Sequence, residues 1–348
     1  FEKGYLKEKE TKNGLMCLQN FIKTSVDLYD LDNSDLILDK VFKNFDKAIN
    51  FWKYDKKLII EMIRVFRRLN DVDNIVALYG EIIKNKDFTV SNICSYIYFK
   101  NFQKDWSQKK FYEYGKFLDS QTLVGEVDQS HKIIKSKKVK IKVGFLSADF
   151  RGEHSITFFL KEILEDYDKE NFSIVLISNQ EVDDKTFEEF SKKVDESINI
   201  SNFNDIEALN SLKDLNIDIL IDLMGVTSEQ RIELLNLRVA PIQILWLGYC
   251  NTSGIRNMDY IIADKNLIYE KEKEFYSEKI LYLPEIWSAH SGLTIKRKEK
   301  IFPHIKNGFI TFGSFNNFNK INEEVVKIWS NIIKKNKNSK LMLKSSTR

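Results

Sequence analysis

Over the first 118 positions, apolar residues recur at helical spacing. Leu58, Ile59, Met62, Ile63 and Phe66 fall on one face of a helix, and Ile75, Leu78, Tyr79 and Ile82 on one face of the next. The region has almost no Gly or Pro, and polar breaks at 32–34, 69–73 and 85–87 divide it into antiparallel helix hairpins. No fixed period links the hairpins, so a tetratricopeptide-like character rests on the helix-pair pattern alone. Aromatic residues such as Trp52, Trp106 and Tyr112 suit a helix–helix core first and a peptide groove second.

From 119 to 138 the chain turns polar and then basic, ending in HKIIKSKK, which reads as a solvated linker. The pattern then changes. Apolar, β-branched runs at 139–147, 173–178, 198–200, 217–223, 242–248, 260–263 and 279–283 predict strands, and helical patterns at 155–167, 185–194, 205–215 and 228–237 fall between them. Strands alternating with helices predict a parallel sheet covered on both faces, with ligands at the carboxyl ends of the strands. The loops 147–154, 223–227 and 249–254 then share one rim. A second unit begins near 306, with a strand at 309–315, a loop at 316–320, a helix at 323–335 and a strand at 340–344. Two strands and one helix cannot bury both faces of a parallel sheet, so the sequence predicts an open-ended piece of a second domain. The expected organisation is a helical region (1–118), a linker (119–138), a first Rossmann-like domain (139–305) and the start of a second α/β domain (306–348).

Charge and composition narrow the partners. A net charge of +3 with both signs mixed along 348 residues argues against a dedicated nucleic-acid surface. No apolar run approaches the roughly 20 residues that span a bilayer. The start, FEKGYLKEKE, lacks the pattern of a signal peptide, and the cysteines Cys17, Cys94 and Cys250 have no metal-binding or redox spacing. A reduced, cytoplasmic setting is the expectation.

Candidate chemistry collects at strand ends. His154 lies in the first strand-to-helix loop, SADFRGEHS, where an imidazole suits a general base and equally suits a histidine bonded to a helix N-terminus. Asp149 in the same loop fits either an orienting carboxylate or a turn cap. Gly144 and Gly152 are eight residues apart and make no dinucleotide fingerprint, and no Walker-type loop occurs. Lys320 ends the loop FNNFNK just before a helix whose N-cap is Asn322, and an ammonium beside free helix N–H groups favours a diphosphate. Asn316, Asn317 and Asn319 fit turns or sugar contacts. The turn Tyr249-Cys-Asn-Thr-Ser-Gly254 carries small hydroxyl residues after a buried strand.

The stretch 238–260, RVAPIQILWLGYCNTSGIRNMDY, resembles the signature of the protein O-linked N-acetylglucosamine transferases, a family that includes bacterial homologues and the plant SPINDLY-type fucosyltransferases. VGFLSADFR (143–151) with HS (154–155), DILIDLMGVT (218–227), YSEKILYLP (276–284) and ITFGSFNNFNKI (310–321) agree in the same order. The similarity runs from about residue 140 to the end. It implies a GT-B architecture, with two Rossmann-like domains facing each other across a cleft after helical repeats. It also implies an enzyme: a metal-independent, inverting glycosyltransferase that needs no cofactor and passes a sugar from a nucleotide diphosphate donor to Ser or Thr of acceptor proteins. N-acetylglucosamine from UDP is the leading donor. A donor such as GDP-fucose, or a non-catalytic helical adaptor with a degenerate transferase domain, are the alternatives.

By the same resemblance His154 falls on the active-site histidine, Lys320 on the diphosphate-contacting lysine, Asn317 on a donor-contacting amide, and Thr252 and Ser253 on the hydroxyl turn that faces sugar and phosphates. Two departures stand out. Val226 occupies a position where relatives often carry His or Tyr, and the DFRGEHS loop has one residue more than the common form. The base-reading segment of the family would lie beyond Arg348, which predicts weak nucleotide binding by residues 1–348 alone.

Overall fold

The computed structural model describes residues 2–8, 11–32, 35–51, 54–126, 140–152, 154–181, 185–292 and 301–344. Most of the basic stretch expected to link the domains, including His131, lies outside them. The chain forms two compact units: Thr89–Tyr98 with Asp105–Thr294, and Phe1–Phe88 with Phe99–Lys104 and Ile295–Arg348.

The latter unit begins with α1 (Glu2–Glu8), α2 (Lys12–Asp32), α3 (Asp35–Phe51), α4 (Lys56–Leu69) and α5 (Val72–Lys84). The α4–α5 hairpin shows why the pattern was readable. Asp55 accepts the Leu58 N–H and Asp71 the Asn74 N–H, so each helix starts on a carboxylate cap. Asn70 takes the left-handed conformation between them (φ 55°). Leu58, Ile59, Met62, Ile63 and Phe66 of α4 are buried, as are Ile75, Tyr79 and Ile82 of α5.

Near the C-terminus of the same unit, α12 (Pro303–Asn307) precedes β8 (Ile310–Ser314), α13 (Glu323–Lys335) and β9 (Ser339–Leu343). β8 and β9 pair in parallel from Ile310↔Ser339 to Ser314↔Leu343. Many apolar side chains on these elements remain exposed, including Ile328 and Met342. This follows from having one helix against two strands.

The other unit is a parallel sheet of seven strands in the order β3-β2-β1-β4-β5-β6-β7. The strands are β1 (Ile141–Ser147), β2 (Phe172–Ser178), β3 (Glu196–Asn199), β4 (Ile219–Asp222), β5 (Ile242–Leu245), β6 (Tyr260–Ala263) and β7 (Lys279–Tyr282). β1 is an interior strand beside the central β4, in register with β2 from Ile141↔Phe172 to Ser147↔Ser178 and with β4 from Val143↔Ile219. Strand order reverses direction between β1 and β4, the topological switch point beside which such sheets bind ligands. Connecting helices are α8 (Ser155–Asp166), α9 (Lys185–Ser191), α10 (Asp205–Asp214) and α11 (Ile232–Asn236). Phe145, Phe150, Ile156, Leu160, Leu164 and Leu176 belong to one buried cluster that joins the sheet to α8.

Three expectations shift. α11 begins at Ile232 rather than at 228. Glu229 has a left-handed backbone (φ 57°), and Arg231 before the helix is drawn off to Asn179, Asp205 and the carbonyls of Ile200 and Phe203. β5 stops at Leu245, short of Gly248, because Leu247 turns left-handed (φ 73°) and Gly248 donates back to the Trp246 carbonyl. A Cβ on Gly248 would lie 1.8 Å from the Leu223 carbonyl oxygen, so only glycine fits against the exit of β4.

The third shift concerns α6 (Val90–Lys100) and α7 (Gln108–Asp119), placed by the sequence in the helical region. α7 and most of α6 belong to the sheet unit. Gly115 of α7 meets the backbone of Gly254, where an added Cβ would come within 2.6 Å. Asp119 takes Nε and Nη2 of Arg256 and the amide of Asn236. Those bonds join residues more than a hundred positions apart, beyond the reach of a local pattern.

Candidate functional site

The loop that leaves β1 is built around two buried anchors. Ser147 is fully buried, and its Oγ accepts the Asp149 N–H (2.9 Å). Phe150 is also fully buried and stacks on Phe187 with centroids 6.1 Å apart. Between and beyond these anchors the polar residues point outward. Arg151 donates to Asp149 Oδ1 (3.0 Å), and Gly152 has a positive φ of 36° that turns the chain into α8.

His154 is the N-cap of α8. Its Nδ1 accepts the Ile156 N–H at 3.4 Å, a long bond, and its carbonyl accepts the Thr157 hydroxyl at 2.7 Å. Nε2 lies 3.6 Å from Asp149 Oδ1, just beyond hydrogen-bond length, and about a third of the side chain is exposed. Of the two readings of this residue from the sequence, the histidine bonded to a helix N-terminus is the one the structure shows. The ring caps the helix, and a carboxylate faces its far nitrogen. A proton taken up on Nδ1 would give an imidazolium with Asp149 beside it.

The loop after β4 is buried. Asp222 is wholly inside and accepts the N–H groups of Met224 (3.1 Å) and Gly225 (2.8 Å). Burial nevertheless pushes its carboxyl up to about 7, because two neutral donors do not replace lost hydration. Val226 is 1% exposed, so the valine that departs from the family pattern packs into the interior. Met224 Sδ accepts the Ala148 N–H (3.1 Å) and ties this loop to the one after β1.

The hydroxyl turn after β5 is also closed. Thr252 and Ser253 are 2% and 1% exposed. Both bond to Glu278, the residue just before β7. Its Oε2 accepts Thr252 Oγ1 (2.7 Å), and its Oε1 accepts the N–H (2.7 Å) and Oγ (2.5 Å) of Ser253. Asn251, next to them, accepts the Gln108 amide of α7 and the Thr252 N–H. The two hydroxyls expected to face a donor thus face a buried carboxylate. Sequence reasoning gave Glu278 no role. Its partners lie 25 and 26 residues away, and the YSEKILYLP stretch that contains it gave no sign of which side chains it would meet.

Lys320 and Asn317 belong to the other unit. They sit around a 3₁₀ turn, Phe318–Lys320, after β8. Asn317 Oδ1 accepts the Asn319 N–H (3.0 Å), and Lys320 Nζ reaches only a long contact with Asn316 Oδ1 (3.3 Å). Both side chains are exposed. Asn322 caps α13 on the Val325 N–H (3.0 Å). Lys320 and the three amides thus lie in the turn that precedes the capped start of α13. Among the described residues no group of three or more His, Cys, Asp or Glu side chains is arranged to hold a metal ion, and no helix is long and apolar enough to cross a membrane.

Comparison with known proteins agrees with this architecture. A solved structure of a mutant O-GlcNAc transferase from Thermobaculum terrenum superposes with a TM-score of 0.75, covering 87% of this chain and 58% of that one. At 19% identity this likeness is one of fold, the GT-B-like arrangement expected from the sequence. Two curated relatives from Arabidopsis thaliana, each described as a probable UDP-N-acetylglucosamine–peptide N-acetylglucosaminyltransferase, are SPINDLY and SEC. SPINDLY is 30% identical over 61% of this chain and 23% of its own length; SEC is 28% identical over 59% and 22%. SPINDLY of Oryza sativa is 31% identical over 58% of this chain and 22% of its own. The matches thus span less than a quarter of these relatives. The model of glycosyl transferase family 41 matches residues 118–310, more than half of the sequence and all seven strands of the larger sheet, and the chain belongs to that family.

Proposed function

We propose that this chain is part of a protein O-glycosyltransferase that transfers N-acetylglucosamine, with inversion and without a metal, from UDP-N-acetylglucosamine to Ser or Thr hydroxyls of proteins. The observation that carries the reading is the family match lying on a parallel sheet whose first loop presents His154 with Asp149 behind it. The named activities of the SPINDLY and SEC relatives support the same donor and acceptor class.

In this reading the acceptor oxygen attacks the anomeric carbon while the bond from that carbon to the diphosphate breaks. The acceptor proton passes to His154 Nδ1, whose capping bond is long enough to give way, and Asp149 stabilises the imidazolium. Base assistance of this kind contributes on the order of 10²–10⁴ in rate. The departing diphosphate needs fixed positive partners, and Lys320 with Asn317 at the head of α13 supplies an ammonium and an amide for it. Thr252 and Ser253 act one step back, holding the β5 turn through Glu278. The helix hairpins would present the acceptor protein, and a cytoplasmic setting suits the cysteine usage.

Incubating the full-length protein with labelled UDP-N-acetylglucosamine, GDP-fucose and other nucleotide sugars, with cell-lysate proteins as acceptors, tests the proposal. Labelling from UDP-N-acetylglucosamine alone is expected. Labelling from a different donor would change the sugar. Absence of transfer and of donor hydrolysis in folded protein would favour a binding module.

A further inference from the structure

After β7 the chain returns to the carboxyl edge of the seven-stranded sheet. The Trp246 indole N–H, just past β5, donates to the Trp287 carbonyl oxygen (2.8 Å), and the Trp287 N–H donates to Asp264 Oδ2, just past β6 (2.8 Å). Four residues on, the Ser291 N–H donates to the Phe158 carbonyl oxygen (3.0 Å) at the end of the first turn of α8. The segment is thus tied to three strand or helix ends along one rim.

His290 sits between the last two ties. Its ring lies nearly parallel to Phe158, with centroids 5.0 Å apart and planes at 15°, and edge-on to Phe159 at 5.2 Å and 84°. Its Nδ1 accepts the Gly292 N–H (2.8 Å). A nitrogen that accepts carries no proton, so the neutral ring bears its proton on Nε2. The side chain is exposed. The result is an N–H donor on a ring held by stacking and by a backbone bond.

We propose that His290 is an acceptor-binding residue, whose Nε2–H donates to a backbone carbonyl of the protein substrate about two residues from the modified Ser or Thr. The inference rests on the transferase reading, because it takes His154 as the group beside the acceptor hydroxyl. Phe158 lies four residues after His154, one turn along α8, a rise of about 6 Å. An extended peptide advances about 3.3 Å per residue, so about two residues cover that span. Acceptors of many sequences share the backbone carbonyl, so this contact would register the peptide without reading its side chains. The Phe158 and Phe159 rings supply the flat apolar support that holds the donor in place, as bound peptide segments require.

Two substitutions in the full-length protein separate the donor from the stack. His290→Phe keeps a ring over Phe158 and removes the N–H. His290→Gln carries an amide N–H near the position of Nε2. With a Ser/Thr peptide and UDP-N-acetylglucosamine, His290→Phe should raise the peptide KM about three- to tenfold, the usual worth of one hydrogen bond. It should leave the donor KM and peptide-free donor hydrolysis unchanged. His290→Gln should restore most of the peptide affinity, and thermal unfolding should be alike in all three proteins.

An unchanged peptide KM in His290→Phe, in a wild type that transfers sugar, would overturn the inference and leave the transferase reading intact. Equal loss in both variants, with donor hydrolysis also reduced, would overturn it in favour of a structural strap. A wild type with neither transfer nor hydrolysis would overturn the transferase reading and the inference with it.

Discussion

The loops after β1 and β5 leave the same edge of one sheet, yet they use their polar groups in opposite ways. The β1 loop buries Ser147 and Phe150 and leaves Asp149, Arg151 and His154 partly open at the rim. The β5 turn buries Asn251, Thr252, Ser253 and Gly254 and commits both hydroxyls to Glu278. In the first loop, one buried hydroxyl and one buried ring hold the chain and free the other polar groups. In the second, the polar groups are themselves the anchors. A row of small hydroxyl residues at a strand end is therefore no sufficient sign of ligand contact. It also marks a turn that must close over a buried carboxylate.

The largest effect that would break this contrast is on stability. Glu278→Ala strips the partner from two buried hydroxyls and one buried N–H, and should cost about 3–5 kcal/mol in urea unfolding, each orphaned donor being worth about 1–3 kcal/mol. A loss below about 1 kcal/mol would mean that the turn is held by something else.

Asp222 sharpens the contrast through pH. Its folded value, about 7, stands above the ordinary carboxylate value. The stability it lends is therefore full below about pH 4 and is lost as the pH rises to about 7. Between pH 5 and pH 7 the stability of wild type relative to Asp222→Asn should fall by about 2 kcal/mol. Parallel pH profiles for the two proteins would mean that Asp222 is ionised throughout.

Smaller effects attach to single caps. Ser253→Ala should cost about 1 kcal/mol, because Glu278 keeps the Ser253 N–H and Thr252. His154→Ala should cost about 0.5–1 kcal/mol of thermal stability through its long capping bond. A much larger loss for His154→Ala would make that residue a fold determinant first.

Local patterns carried much of the architecture. The carboxylate caps of α4 and α5, the β6 strand and the α13 helix with its Asn322 cap follow from residues within a few positions of one another. The turn that holds Lys320 just before α13 was legible for the same reason. What escaped depends on distant contacts or on backbone conformation. The early end of β5 follows from a left-handed Leu247 and from Gly248 fitting against Leu223. The attachment of α7 follows from Gly115 meeting Gly254 and from Asp119 meeting Arg256. His290 carried no sequence signal because its aromatic support, Phe158 and Phe159, lies more than a hundred residues earlier.

The most direct test compares the two loops in one assay. Transfer of labelled N-acetylglucosamine to a Ser/Thr peptide would be measured for wild type, His154→Ala and Ser253→Ala at matched folded fractions. The account predicts that His154→Ala loses 10²–10⁴-fold while Ser253→Ala stays within about threefold of wild type. Equal losses in the two variants, or an unimpaired His154→Ala, would contradict it.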